Sequence, residues 1–150
     1  MESLFNPADN QKIINRINSV TPQSKAQWGK MDAAQMLAHC QPPLKVAFGE
    51  LKLKRGLPAI LFGSYVRKKL TKDETPFSQN LPTDNNFKIA NPEEVEKEKT
   101  KLAALVQRFL ELGANGMTKD AHPFFGKMAG KEWDMIQWKH LDHHLRQFGA

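Results

Sequence analysis

The C-terminal segment Trp133-Asp-Met-Ile-Gln-Trp-Lys-His140-Leu-Asp-His143-His144-Leu145-Arg-Gln-Phe148 constrains the fold of this chain more than any other stretch. Its apolar residues recur at helical spacing. On a helical wheel with Trp133 at zero, His140 falls at about −20° and His144 at about +20°, with Gln137, Phe148 and Leu141 at roughly 40°, 60° and 80°. Met135, Lys139, Asp142 and Arg146 take the opposite side, and His143 lies on the flank. A helix of this pattern turns two imidazoles toward an interior. Other helices must then cover that face and supply a hydrogen-bond acceptor, a charge or a metal, because burying an unsatisfied polar group costs a few kcal/mol. Two histidines at i, i+4 have Cβ atoms roughly 6 Å apart, so their ring nitrogens can converge on one ion.

The rest of the chain is punctuated as helices. The first begins near Pro7 or Ala8, carries Ile13, Ile14 and Ile17, and ends before Thr21-Pro22. A second runs from Met31 to about Cys40, with Trp28 placed to fold over its first turn, and Pro42-Pro43 should kink or end it. The apolar stretch from Gly56 to Leu70 reads as a short accessory helix, although it contains Gly63. Thr71 to Ala90, rich in Pro and Asn, reads as a long irregular loop of the kind that often serves as a lid or crossover. The cleanest helix start is Asn91 as N-cap, Pro92 at N1 and glutamates in the first turn, with an apolar stripe to Phe109 and Leu110 and a stop at Gly113. No alternating strand pattern or repeat is present. The expectation is an all-α, single-domain chain over residues 1–150: a four-helix bundle with one accessory helix.

Composition narrows the function classes. With 40% hydrophobic and 25% charged residues, the chain belongs among ordinary globular proteins. One cysteine, Cys40, excludes an internal disulfide and suits a reducing compartment. The N-terminal residues hold no basic segment followed by an apolar core, and Leu57-Pro-Ala-Ile-Leu-Phe62 is too short to span a bilayer. A cytoplasmic protein without a membrane partner is therefore expected. The net charge of +6 is concentrated in Lys52, Lys54, Arg55, Arg67, Lys68 and Lys69. Such runs are usually solvated faces, and no nucleic-acid-binding motif accompanies this one.

Two histidines do not complete a metal site, so the remaining polar candidates matter. His39 lies inside the second helix on a face shared with Asp32 and Cys40, and it can point inward to form a His39/His140/His144 trio. Three neutral imidazoles leave open positions on a zinc-type ion, a catalytic rather than a structural arrangement. A lone inward histidine is ordinarily just hydrogen-bonded, and a buried cysteine such as Cys40 ordinarily behaves as a small hydrophobe. Gln137 stands one turn before His140 on the same face, Asp32 could orient His39, His122 could reach the pocket mouth from its loop, and Trp133 could wall the pocket.

The segments Trp28-x-x-Met31, Gln35-Met-Leu-Ala-His39, His122-Pro-x-Phe-Gly126, Glu132-Trp133 and His140-x-x-His143-His144-x-x-Gln147 resemble a bacterial family of unknown function in the DinB/YfiT-like superfamily, whose members are regarded as metalloenzymes. The resemblance spans nearly the whole chain. It implies an up-down-down-up four-helix bundle with a long crossover between the second and third bundle helices, a role that suits Pro42 to Ala90. It also implies a divalent metal on one histidine of the second helix and two of the last, which map onto His39, His140 and His144; for three imidazoles, zinc or nickel is the expected ion. Better-understood relatives include thiol-dependent transferases and isomerases, although substrate class does not carry over with a fold.

The expected function is accordingly a metal-dependent transferase or hydrolase that activates a thiol or a water. Arg55 and Arg67 are expected to favour an anionic small-molecule substrate or thiol cofactor, and a homodimer is compatible with a bundle of this size. The rival expectation is a non-catalytic bundle whose histidines form a hydrogen-bonded network beside a ligand groove. A basic accessory protein at nucleic acid is the third and weakest.

Overall fold

A computed structural model describes residues 2–81 and 85–150. Its α-helices are α1 (Pro7–Ser19), α2 (Ala33–His39), α3 (Gln41–Ala47), α4 (Leu57–Leu70), α5 (Val95–Leu112) and α6 (Gly130–Gln147), with 3-10 turns at Asn85–Phe87 and Ala114–Gly116. Among the described residues there is no strand, only an isolated antiparallel bridge between His122 and Gly126. The fold is all-helical, as the periodicity predicts. No helix among the described residues is long and apolar enough to cross a membrane.

α5 lies against α1, α2 and α3, while α6 lies against α1 and α3. Between them sits a core of Ile13, Ile17, Met36, Leu37, Leu44, Leu102, Val106, Phe109, Trp133, Leu141 and Leu145. Burying one such side chain contributes about 1.5–3 kcal/mol, so this interface dominates the stability. Polar pins set the register. Asn10 donates from Nδ2 to Leu4 O (2.9 Å) and Val106 O (2.8 Å), tying α1 to α5. Asp134 accepts from Leu4 N (2.7 Å) and Ser3 Oγ (2.6 Å), tying the N-terminal segment to α6. Arg16 pairs with Asp142 at 2.8 Å and donates to the Ala150 carbonyl, closing α1 onto the end of α6.

Three places differ from the sequence pattern, each for a local reason. At Pro42-Pro43 the second helix breaks, as one of the two expected outcomes, with α2 ending at His39 and α3 starting at Gln41. Both prolines fall in the first turn of α3, where a missing N–H has no intrahelical partner to lose, and the chain stays helical and buried through Ala47. Residues 42–47, expected as the start of a connection, are therefore helix. α5 begins at Val95, not beside Asn91, because Glu98 reaches back to accept from Glu93 N (2.9 Å). Glu98 is itself buried and accepts from Gln41 Nε2 (2.5 Å), which links α3 to α5. Lys139, placed outward by the wheel, is only 5% exposed: the segment after α4 crosses it, and its Nζ donates to Leu70 O (2.7 Å) and Asp73 O (2.5 Å). The expected irregular stretch from Thr71 to Ala90 is otherwise present, save that residues 82–84 of it lie outside the described residues.

α4 docks by its smallest residues. A Cβ on Gly63 would stand 1.8 Å from Phe124 O, so the glycine permits helix and loop backbones to touch. Arg67 completes the dock through Glu132 (3.2 Å) and the Lys127 carbonyl.

A candidate three-histidine centre

The trio is assembled from two helices. The capping box at the start of α2, in which Asp32 accepts from Gln35 N (2.8 Å) and Gln35 Oε1 accepts from Asp32 N (3.0 Å), sets the helix phase that carries His39 inward. α6 supplies His140 and His144 from successive turns. His39 Nε2 stands 3.1 Å from His140 Nε2 and 3.1 Å from His144 Nε2. His39 and His144 are buried, and His140 is partly exposed although its Nδ1 is sealed from solvent.

The outer ring nitrogens settle which atoms face the centre. His39 Nδ1 lies 2.8 Å from Phe87 O, an acceptor only, so this nitrogen carries the proton and Nε2 presents its lone pair. His144 Nδ1 lies 2.8 Å from Gln147 Oε1. The orientation of that amide is imposed by its other end, where Gln147 Nε2 donates to Trp28 O at 2.5 Å. His144 Nδ1 is therefore also the protonated nitrogen, and its Nε2 too presents a lone pair. Two lone pairs 3.1 Å apart repel unless a cation lies between them. The same separation is what two imidazole nitrogens keep when each lies about 2.1 Å from one ion at roughly 90–100°.

Electrostatics points the same way. Burial is the main cause holding all three imidazoles below the ordinary histidine range. His140 is held well below it, with His144 and His39 adding repulsion, and His144 is pushed down to about 3. At neutral pH the cluster is three neutral ligands, the form a metal requires.

The surroundings were only partly visible in the sequence. Gly29 has φ +82°, and a Cβ on it would stand 2.6 Å from Gln147 Nε2, so a left-handed glycine lets the Trp28–Gln147 bond form. Trp28 also sets its ring against His143 (5.5 Å between centroids), and Phe77 lies 6.4 Å from the same ring. Phe87, Gln147 and Trp28 thus orient the ligands. Gln147 lies in the C-terminal motif, but nothing in its spacing reveals that it grips His144, and Phe87 acts through its backbone.

The other sequence-predicted residues lie elsewhere. Asp32 is an exposed helix cap and does not touch His39. Gln137 is buried on the expected face; its Nε2 donates to Pro43 O (3.2 Å), and its Oε1 has no partner among the described residues, as is also true of His140 Nδ1 one turn later. His122 organises its own loop: its Nδ1 accepts from Phe124 N (3.0 Å) and Phe125 N (3.1 Å), and its ring stacks on Phe125 and tilts against Trp133. Trp133 is fully buried core. Cys40 is buried, and its thiol is pushed far up by desolvation, which removes it as a thiolate. Arg55 donates to Ala59 O, and Arg67 is held at Glu132, eight residues or about 12 Å along α6 from His140. Neither lines the trio.

A family model described as a protein of unknown function (DUF1569) matches residues 3–150. No curated protein and no solved structure matches the chain.

Proposed function

Since the chain belongs to that family, whose description names no activity, we propose from the site itself that the protein is a divalent-metal-binding bundle of DinB-like type, with His39, His140 and His144 as ligands. In this reading the chain is one domain, with α1, the broken α2–α3 rod, α5 and α6 as the up-down-down-up bundle and α4 as the accessory helix of the crossover. The observation that carries it is the orientation of the trio: ring nitrogens of the three histidines lie within 4.8 Å of one another, and acceptors hold the ring proton of His39 and His144 on Nδ1.

Zinc or nickel suits the three-imidazole set, and when bound it supplies a Lewis acid that acidifies a water or a thiol. The chain's own residues do the rest. Phe87 O and Gln147 Oε1 raise the basicity of His39 and His144 and fix their ring planes. Gln137 Oε1 is a sealed, unpaired acceptor on the face that carries His140. The reaction class is transfer or hydrolysis through an anionic thiol or oxygen nucleophile.

The test is metal content by mass spectrometry, on wild type and on the His39→Ala/His140→Ala/His144→Ala variant. We expect about one divalent ion per chain in the former and none in the latter. Saturation with Zn²⁺ or Ni²⁺ at about 100 times Kd should add about 2.7 kcal/mol of stability by mass action. No metal in the wild type after incubation with either ion would make the trio a core polar network and the protein a non-catalytic binding bundle.

A further inference from the structure

α4 inverts the usual logic of a surface helix. The residues it buries fully are small, Ala59 and Gly63, with Val66 and Leu70 half-buried beside them, while Leu57 (69% exposed), Ile60, Leu61, Phe62 and Tyr65 (70%) face solvent. A helix that serves only to cover a core buries its large apolar side chains and exposes its small or polar ones. Apart from Leu81 and Leu112, these five are the exposed large hydrophobics among the described residues, so the apolar surface is concentrated on one element.

The charge around it is equally one-sided. Residues 51–72 hold seven Lys and Arg and no Asp or Glu. Lys52, Arg55 and Arg67 have partners within the protein, whereas Lys54, Lys68, Lys69 and Lys72 stand exposed on either side of the apolar turns. Basic heads flanking an exposed apolar helix match an anionic lipid surface, in which apolar side chains enter the acyl boundary and lysines reach the headgroups. A second copy of the chain docked face to face would bring two such cationic sets together, and nucleic acid offers the five apolar side chains nothing to bury against. We propose that α4 is an interfacial helix that docks the protein on anionic bilayers. The trio is separate from this face, and the two assignments stand or fall independently.

The test is co-sedimentation of the full chain with vesicles of phosphatidylglycerol and phosphatidylcholine, beside vesicles of phosphatidylcholine alone. We expect binding to the anionic vesicles only, weakening as salt rises. Leu61→Ser with Phe62→Ser should weaken binding at least tenfold, and Lys68→Glu with Lys69→Glu should do the same, since one lysine near an anionic surface contributes about fivefold. All four side chains are exposed, so an unchanged melting temperature will show that each variant is folded. No binding to anionic vesicles at low salt, or binding indifferent to the Leu61/Phe62 pair, overturns the proposal. So does a concentration-dependent dimer in light scattering that the same pair dissolves, which would assign the face to a second copy.

Discussion

At the scale of single residues, the centre depends on side chains that never meet it. Gln147 is the clearest case: its amide is oriented by Trp28 O, and that orientation decides which nitrogen of His144 is free. Gln147→Ala should leave the helix intact, because alanine has the highest intrinsic helix propensity. It should nonetheless weaken metal affinity about 10–100-fold, as losing an outer-shell partner of a ligating histidine generally does. Isothermal titration with Zn²⁺ measures this, and an unchanged affinity would remove Gln147 from the site. The wheel reading brought out His39, His140 and His144 because periodicity reports direction. Asp32, read from the same face as His39, and His122, expected at the pocket mouth, instead act as a helix cap and a turn organiser, roles set by local backbone hydrogen bonds that leave no helical period.

At the scale of elements, punctuation was legible wherever a terminus is a local event. Asn6 caps α1 through Ala8 N and Asp9 N, and Gly113 ends α5 with φ +60°, both at the expected places. α3 and the start of α5 were not legible, because the first depends on burial of Leu44 and Ala47 beyond the prolines and the second on the Glu98 carboxylate joining two segments. α4 shows how a residue that weakens a helix in isolation can be needed in place. Gly63→Ala should raise intrinsic helicity yet destabilise the dock, since the added methyl falls on Phe124 O. We expect a loss of about 1–3 kcal/mol in urea unfolding, or faster hydrogen exchange across 57–70 if α4 detaches alone. A gain in stability would mean that the helix shifts without cost.

At the scale of the whole molecule, the buried trio ties stability to pH. A histidine kept neutral by burial binds fewer protons folded than unfolded, so its contribution is complete above the unfolded value of 6.5. It is lost as pH falls through the folded value, which for His144 is about 3. With His39 and His140 shifted in the same direction, the metal-free protein should lose stability steadily from near pH 6.5 into the acid range. Urea midpoints across that range should fall more steeply for wild type than for the triple alanine variant; equal slopes would mean that the imidazoles are solvated. What the sequence by itself determined is the helical class, most helix starts and the inward direction of three histidines, because capping and periodicity act within a few residues along one chain. The tertiary structure alone decided that ring nitrogens of the three histidines lie within 4.8 Å of one another, that Phe87 and Gln147 hold the ring proton of two of them on Nδ1, and that α4 shows large apolar side chains to solvent. Those facts depend on which backbone passes which side chain between elements far apart in sequence, and no local pattern encodes such distances.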